Sequence, residues 1–97
     1  MKSKQEILTI LKSNKPYLRK RFRVKELGLF GSFAREDNTD KSDIDILVDF
    51  YETPGLFEVI RLERFLSSIL NGKVEVIRKP ALRKEIRERV LNETIYS

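Results

Sequence analysis

Two short segments of this 97-residue chain combine residue types that suit a phosphate-binding turn beside a metal site. Residues 31–35 read Gly-Ser-Phe-Ala-Arg after an apolar run, so a strand is expected to end there and a helix to begin. Backbone N–H groups at such a junction are free to face an anion. Residues 42–48 read Ser-Asp-Ile-Asp-Ile-Leu-Val, which predicts a strand. Asp43 and Asp45 would then share one face, about 6.6 Å apart along the strand, and such a carboxylate pair suits Mg²⁺.

The composition restricts the chemistry that this site can perform. A length of 97 residues fits one domain, residues 1–97, with a modest core. Because the sequence contains neither Cys nor His, disulfides, thiolate zinc sites, imidazole bases and Cys nucleophiles are excluded. Any metal must be bound by oxygen, which favours Mg²⁺ or Mn²⁺. The charged N-terminus has no long apolar run, so we expect a cytoplasmic protein with neither signal peptide nor membrane span.

The charged side chains are distributed unevenly along the chain. Residues 1–25 carry nine basic and one acidic side chain, residues 26–60 two basic and nine acidic, and residues 61–97 nine basic and five acidic. The acidic middle contains the predicted metal site, and the basic flanks could hold a triphosphate or an acidic partner. Simple solvation of the surface is the alternative explanation for most individual Lys and Arg residues.

The pattern of apolar residues predicts the elements that must position these groups. Ser3 and Glu6 have the spacing of a capping box, so a helix is expected after Ser3. Asn14 and Pro16 should end this helix, and a second helix should follow over residues 15–22. The other predicted elements are a strand at 24–30, a helix at 32–36, a loop at 36–42, a strand at 43–50, a helix from Thr53 and Pro54 to Leu70, a strand at 74–77 and a helix from Pro80. This order is typical of a small mixed α/β sheet.

The segments 31–35 and 42–48 together resemble the minimal nucleotidyltransferases of the DNA polymerase beta superfamily. The resemblance extends from Leu27 through residues 74–77 to the last predicted helix. It implies an α/β fold in which a small mixed sheet of the nucleotidyltransferase type is flanked by helices. It also implies a site made of a Gly-Ser pair, an Asp-x-Asp strand and a third carboxylate on a neighbouring strand.

Carried over to this sequence, that site has two groups of residues. The expected metal-binding and catalytic residues are Asp43, Asp45 and Glu75, and the expected nucleotide-binding residues are Gly31, Ser32 and Arg35. Glu75 is the only acidic residue of the third predicted strand and could accept the proton of an attacking hydroxyl. An exposed strand glutamate paired with Lys73 is the alternative. Arg35 could bind phosphate, or it could brace the acidic loop instead.

Two positions depart from the pattern of this family. The third carboxylate is most often aspartate, and here it is Glu75, whose longer side chain changes the geometry around a metal. The residue after the arginine is commonly glycine, and here it is Glu36, which adds negative charge near an anionic substrate. Both departures bear on the rate that the site can reach.

The resemblance also implies a substrate and a partner. Proteins of this small size in the family are typically antitoxins encoded beside a HEPN-domain RNase toxin, and they transfer AMP from ATP to a tyrosine of that toxin. We therefore expect ATP as substrate, two Mg²⁺ ions, and a possible hetero-oligomer with a HEPN toxin. Two alternatives stay open: a catalytically weak or inactive antitoxin that neutralises by binding alone, and a nucleic-acid-binding module built on the basic flanks. Nucleic-acid binding ranks last, because no aromatic residues are interleaved with the charges.

Overall fold

A mixed β-sheet with helices on both faces forms the framework of residues 2–97, the residues that the computed structural model describes. The helices are α1 (Lys4–Phe22), α2 (Ser32–Arg35), α3 (Leu56–Leu70) and α4 (Lys84–Glu93). The strands are β1 (Val24–Phe30), β2 (Ile44–Phe50), β3 (Val74–Arg78) and β4 (Ile95–Tyr96), and a 3₁₀ turn covers Lys79–Ala81. Within this described range, no helix has the length and apolar character needed to cross a bilayer.

The strand order places β1 and β2 at the centre of the sheet. The order is β3-β2-β1-β4, with β1 antiparallel to both of its neighbours and β2 parallel to β3. Phe30 at the end of β1 lies opposite Asp45 of β2, and Asp45 lies beside Glu75 of β3. This register gathers the end of β1 and both acidic strand positions at one end of the sheet.

The two faces of the sheet are covered by different elements. Every second residue of β2 from Ile44 to Val48 is buried in a core formed with α1 and α3. On the opposite face, Leu47 packs with Leu82 and Val90 in a smaller cluster beneath α4. Because strand side chains alternate, the acidic residues of β2 share the face of Leu47. The acidic site therefore lies on the more thinly covered face.

The first two predicted helices are one helix, so the predicted break at Pro16 was wrong. Leu11 and Leu18, on either side of this proline, are both fully buried in the same core. Burying both halves of the helix outweighs the cost of an interior proline, which is about 3 kcal/mol. The capping box is confirmed, since Glu6 N donates to Ser3 Oγ at 3.2 Å and Ser3 N donates to Glu6 Oε1 at 2.9 Å.

The helix α3 begins later than its sequence predicted. Gly55 is the N-cap and Leu56 the first helical residue, so the prediction of Thr53 as N-cap was wrong. The N–H of Tyr51 donates to the carbonyl oxygen of Arg23 at 2.9 Å. This bond keeps the chain extended past the end of β2, and the helix can begin only after the chain has turned.

The C-terminal helix also begins later, at Lys84 instead of Pro80. Pro80 lies in the 3₁₀ turn, and Leu82 after it is extended and buried against Leu47. Because Leu82 packs beneath the sheet in an extended conformation, the helix begins only after it. The strand β4 was not predicted, because two residues are too few to show a period, and its pairing with the edge of β1 is what forms it.

Candidate active site

Gly31 joins β1 to α2 in a conformation that other residues rarely adopt. Its φ is +76°, in the region that favours glycine. A Cβ at this position would collide with Oδ2 of Asp45. The backbone at Gly31 and the carboxylate of Asp45 therefore lie in close contact. The structure brings the two sequence segments together as one site.

Two of the three candidate metal ligands lie side by side on neighbouring strands. Asp45 and Glu75 are partners in the parallel register, whereas Asp43 lies just before β2, which begins at Ile44. Asp45 is half-buried, whereas Glu75 is exposed. Lys73 Nζ lies 3.9 Å from Oδ2 of Asp43. The lysine that could have neutralised Glu75 thus approaches Asp43 instead.

Burial and like charges change the ionisation of Asp45. Its partial burial, followed by the charges of Glu75 and Asp43, raises the pKa of Asp45 from 3.8 to about 6. The positive charge of Arg35 opposes this shift in pKa without cancelling it. The acidic face therefore carries repulsion that a bound cation would relieve.

The donor chemistry of this face fits a hard divalent cation, since carboxylate oxygens are the ligands that Mg²⁺ prefers. Within residues 2–97, however, no three acidic side chains converge closely enough to form a finished metal cluster. Asp45 and Glu75 share a register and Asp43 lies just before β2, but the three carboxylates do not meet at one point. Holding a cation would require the exposed Glu75 and the partly exposed Asp43 to turn toward Asp45.

Arg35 is bound by two carboxylates. Its Nε donates to Oδ2 of Asp37 at 3.0 Å, and its Nη1 donates to Oε1 of Glu93 at 3.0 Å. The first contact fits the alternative in which Arg35 braces the acidic loop. The second was missed by the sequence reasoning, because Glu93 is 58 residues away and no local pattern connects it to the site. The same Glu93 oxygen also accepts the N–H of Gly31 at 2.8 Å.

A cleft of about 610 Å³ opens between β1, α2 and α4. The polar residues that line it are Gly31, Ser32, Arg35, Asp45, Arg89 and Glu93. All three residues expected to bind the nucleotide are among them. Arg89, an exposed residue of α4, is a further cation of this cleft. No lining residue comes from residues 2–25, so the basic N-terminal segment does not contribute to this cleft.

The residue after Arg35 occupies a left-handed turn. Glu36 has φ +64°, and its carboxylate pairs with Lys4 Nζ at 3.0 Å. This conformation explains physically why glycine is common at this position in the family that the sequence resembles. A residue with a side chain adopts it at a cost of about 1 kcal/mol. Glu36 thus adopts the left-handed turn with some backbone strain, and its side chain adds an ion pair to α1.

The basic residues of α1 lie away from the acidic face. The helix packs on the opposite side of the sheet, and several of its cations are already paired. The pairs are Lys4 with Glu36, Arg21 with Glu58, and, just after the helix, Arg23 with Glu52. These contacts reduce the positive charge available for the nucleic-acid alternative.

Comparisons with known proteins identify a family and a fold. Residues 5–97 match the nucleotidyltransferase domain family. Over 92 residues the chain is 44% identical to the protein adenylyltransferase MntA of Thermococcus cleftensis, covering 95% of this chain and 93% of that protein. A solved minimal nucleotidyltransferase is 29% identical with a TM-score of 0.81, over 97% of this chain and 95% of its own.

One further structure carries a likeness of fold alone. It is a complex of a tri-AMPylated HEPN toxin from Shewanella oneidensis with an MNT antitoxin. The match has a TM-score of 0.60 at 22% identity and covers 96% of this chain and 66% of that chain.

Proposed function

Because the chain belongs to the nucleotidyltransferase family, we propose that it transfers AMP from ATP to a hydroxyl group of a HEPN toxin and so acts as its antitoxin. The family resemblance and the small mixed α/β fold inferred from the sequence are confirmed. The MntA relative is named for protein adenylylation, and the Shewanella toxin is AMPylated in its complex. The observation that carries the proposal is the contact between the Gly31 backbone and Asp45, with Glu75 beside it.

The reaction forms one bond and breaks another at the α-phosphorus of ATP. The acceptor oxygen bonds to this phosphorus, the bond to the bridging oxygen breaks, and pyrophosphate leaves. We assign the acceptor proton to the carboxylate of Glu75, which is exposed to an incoming hydroxyl. Asp43, Asp45 and Glu75 would hold the divalent ions. Such ions, when bound, polarise the α-phosphate and neutralise charge on the leaving group.

The side of the cleft formed by α2 and α4 would bind the triphosphate. Gly31 allows phosphate to approach the backbone closely, and Ser32 offers a hydroxyl beside it. Arg35 and Arg89 are the two guanidinium groups of the cleft, and guanidinium groups bind phosphate strongly. The positive charge of Arg35 and Arg89 and the negative charge of Asp45 in one cleft match a polyphosphate with its cation.

Incubation with a partner provides the direct test. The chain is mixed with a candidate HEPN toxin, ATP and a magnesium salt, and the candidate partner is analysed by mass spectrometry. We expect the mass of AMP on a tyrosine of the partner, together with loss of its RNase activity. Omission of magnesium and a Tyr→Phe partner serve as controls. A partner that binds the chain but never gains AMP would contradict the proposal.

Two observations favour a second candidate, neutralisation of the toxin by contact alone. Glu36 adopts a strained turn, and the carboxylates of Asp43, Asp45 and Glu75 do not converge. An Asp43→Asn and Asp45→Asn double variant separates the candidates. Rescue of growth by that variant would favour contact, whereas its failure despite intact toxin binding would favour AMP transfer.

Glu75 can be tested separately as the third carboxylate. Glu75→Gln should lower the rate of AMP transfer by about a hundredfold, since it removes a proton acceptor and a metal ligand. Glu75→Asp, which has the side chain usual in the family, should retain transfer. The rates are measured at saturating ATP, with Glu26→Gln, another exposed strand glutamate, as the control. Equal rates for wild type and Glu75→Gln would assign Glu75 to the solvated surface.

A further inference from the structure

We propose that the carboxylate of Glu93 acts as a latch: it occupies the phosphate-binding groups of Gly31 and Arg35, and the phosphates of a nucleotide must displace it in order to bind. This inference rests on the proposed function, because it takes Gly31 and Arg35 as phosphate-binding groups. It assigns to Glu93 a role in setting nucleotide affinity. Glu93 belongs to neither the Gly-Ser turn nor the acidic strands.

The latch consists of two hydrogen bonds to one oxygen. Oε1 of Glu93 accepts the N–H of Gly31 at 2.8 Å and Nη1 of Arg35 at 3.0 Å. The side chain retains 22% of its exposure, so it lies at the surface of the cleft. A backbone N–H at a glycine and a guanidinium are also the groups that favour a phosphate oxygen. The carboxylate therefore occupies the position of a competing anion.

The backbone around Glu93 is fixed, so only its side chain is free to move. Glu93 is the last residue of α4, and Thr94 after it donates its hydroxyl to the carbonyl oxygen of Val90 at 2.7 Å. The next two residues form β4 and pair with β1. Val90 itself is buried against the sheet. Displacement of the latch is thus a rotation of one side chain toward solvent and leaves the helix in place.

The negative charge of Glu93 is expected to lower the affinity of the cleft for nucleotide. Glu93 adds a second carboxylate to a cleft that Asp45 already lines, and the charges of Glu75 and Asp43 act on Asp45 from beside it. A polyphosphate that arrives with its cation competes for the same two donors, and the bound state excludes the Glu93 contacts. The apparent affinity for nucleotide is then reduced by the fraction of molecules in which the latch is closed. A neutral amide in place of the carboxylate would hold both donors less strongly.

Calorimetric titration of Glu93→Gln tests this directly. The probes are a non-hydrolysable ATP analogue with Mg²⁺ and, separately, inorganic tripolyphosphate. We expect Glu93→Gln to bind both about threefold to tenfold more tightly than wild type. Glu88→Gln, an exposed residue of the same helix with the same change of charge, should leave both affinities unchanged. Equal or weaker binding by Glu93→Gln would overturn the latch and identify Glu93 as a support for the turn.

A second variant and a spectroscopic signal distinguish loss of the latch from a folding defect. Glu93→Asp keeps the charge but is one methylene too short to reach both donors, and it should also bind the analogue more tightly. The amide resonance of Gly31 should differ between wild type and Glu93→Gln without ligand, and should coincide once the analogue is bound. Different resonances at saturation would overturn the proposal.

The outcomes also separate the latch from the proposed function. If the wild-type chain binds the analogue and transfers AMP while Glu93→Gln binds no more tightly, only the latch fails. If the wild-type chain and both Glu93 variants bind neither probe, the proposed function fails and the latch fails with it.

Discussion

Asp45→Asn is expected to abolish AMP transfer and at the same time to stabilise the folded protein at neutral pH. The amide loses the charge that would hold a divalent ion next to Gly31, so we expect the rate to fall by about a thousandfold. Partial burial and the charges of Glu75 and Asp43 disfavour the ionised form of Asp45. The substitution removes that unfavourable charge and raises the free energy of unfolding. The ionised Asp45 therefore lowers stability while it serves AMP transfer.

The stabilisation by Asp45→Asn should depend on pH in a defined direction. The folded-state pKa of about 6 lies above the ordinary 3.8, so the folded protein binds the proton more tightly than the unfolded chain. The contribution of Asp45 to stability is therefore complete below pH 3.8 and is lost as the pH rises through 6. The shift sets an upper bound of about 3 kcal/mol, and solvent screening of a half-buried group reduces the expected gain to about 1 kcal/mol.

Urea unfolding at several pH values measures this gain in the free energy of unfolding. The difference between Asp45→Asn and wild type should be near zero at pH 3.5 and reach its full value by pH 7.5. Asp49→Asn, near the far end of the same strand, is the matched control and should retain AMP transfer. A less stable Asp45→Asn at pH 7.5, or a variant that still transfers AMP at the wild-type rate, would contradict the assignment.

Gly31→Ala should remove most of the activity, by steric and conformational effects alone. The new Cβ would collide with Oδ2 of Asp45, and alanine at φ +76° and ψ −154° costs about 1–3 kcal/mol. Either the turn or the carboxylate must move. Misplacement of a reacting group by about 1 Å lowers rates by about a hundredfold. We therefore expect a loss of that size in the rate of AMP transfer, with a fold that is weakened but intact.

Gly55→Ala provides the matched control for this substitution. A Cβ at Gly55 meets nothing within 4 Å, and its φ of −73° is ordinary for alanine. The control should retain wild-type activity and stability. Circular dichroism reports whether each variant is folded, and AMP transfer is then compared at equal folded concentration. Wild-type activity in Gly31→Ala would show that the close contact with Asp45 is dispensable.

The sequence alone was enough to locate the two segments that the structure brings together and the strands beside them. Alternation along the predicted strand 43–50 assigned Asp43 and Asp45 to one face, although β2 itself begins at Ile44, and the glycine after β1 located the turn. Both inferences depend on residues within one or two strand periods of each other, where backbone geometry fixes the direction of side chains. The capping box at Ser3 was identified for the same reason.

The tertiary structure decided everything that depends on residues far apart in the chain. It continued α1 through Pro16, since burial of both flanking leucines in one core outweighs the local preference of proline. It formed β4 by pairing with an existing strand, and that pairing placed Glu93 over Gly31 and Arg35. Local patterns specify which face a side chain takes, but only the packed chain determines which distant group it meets.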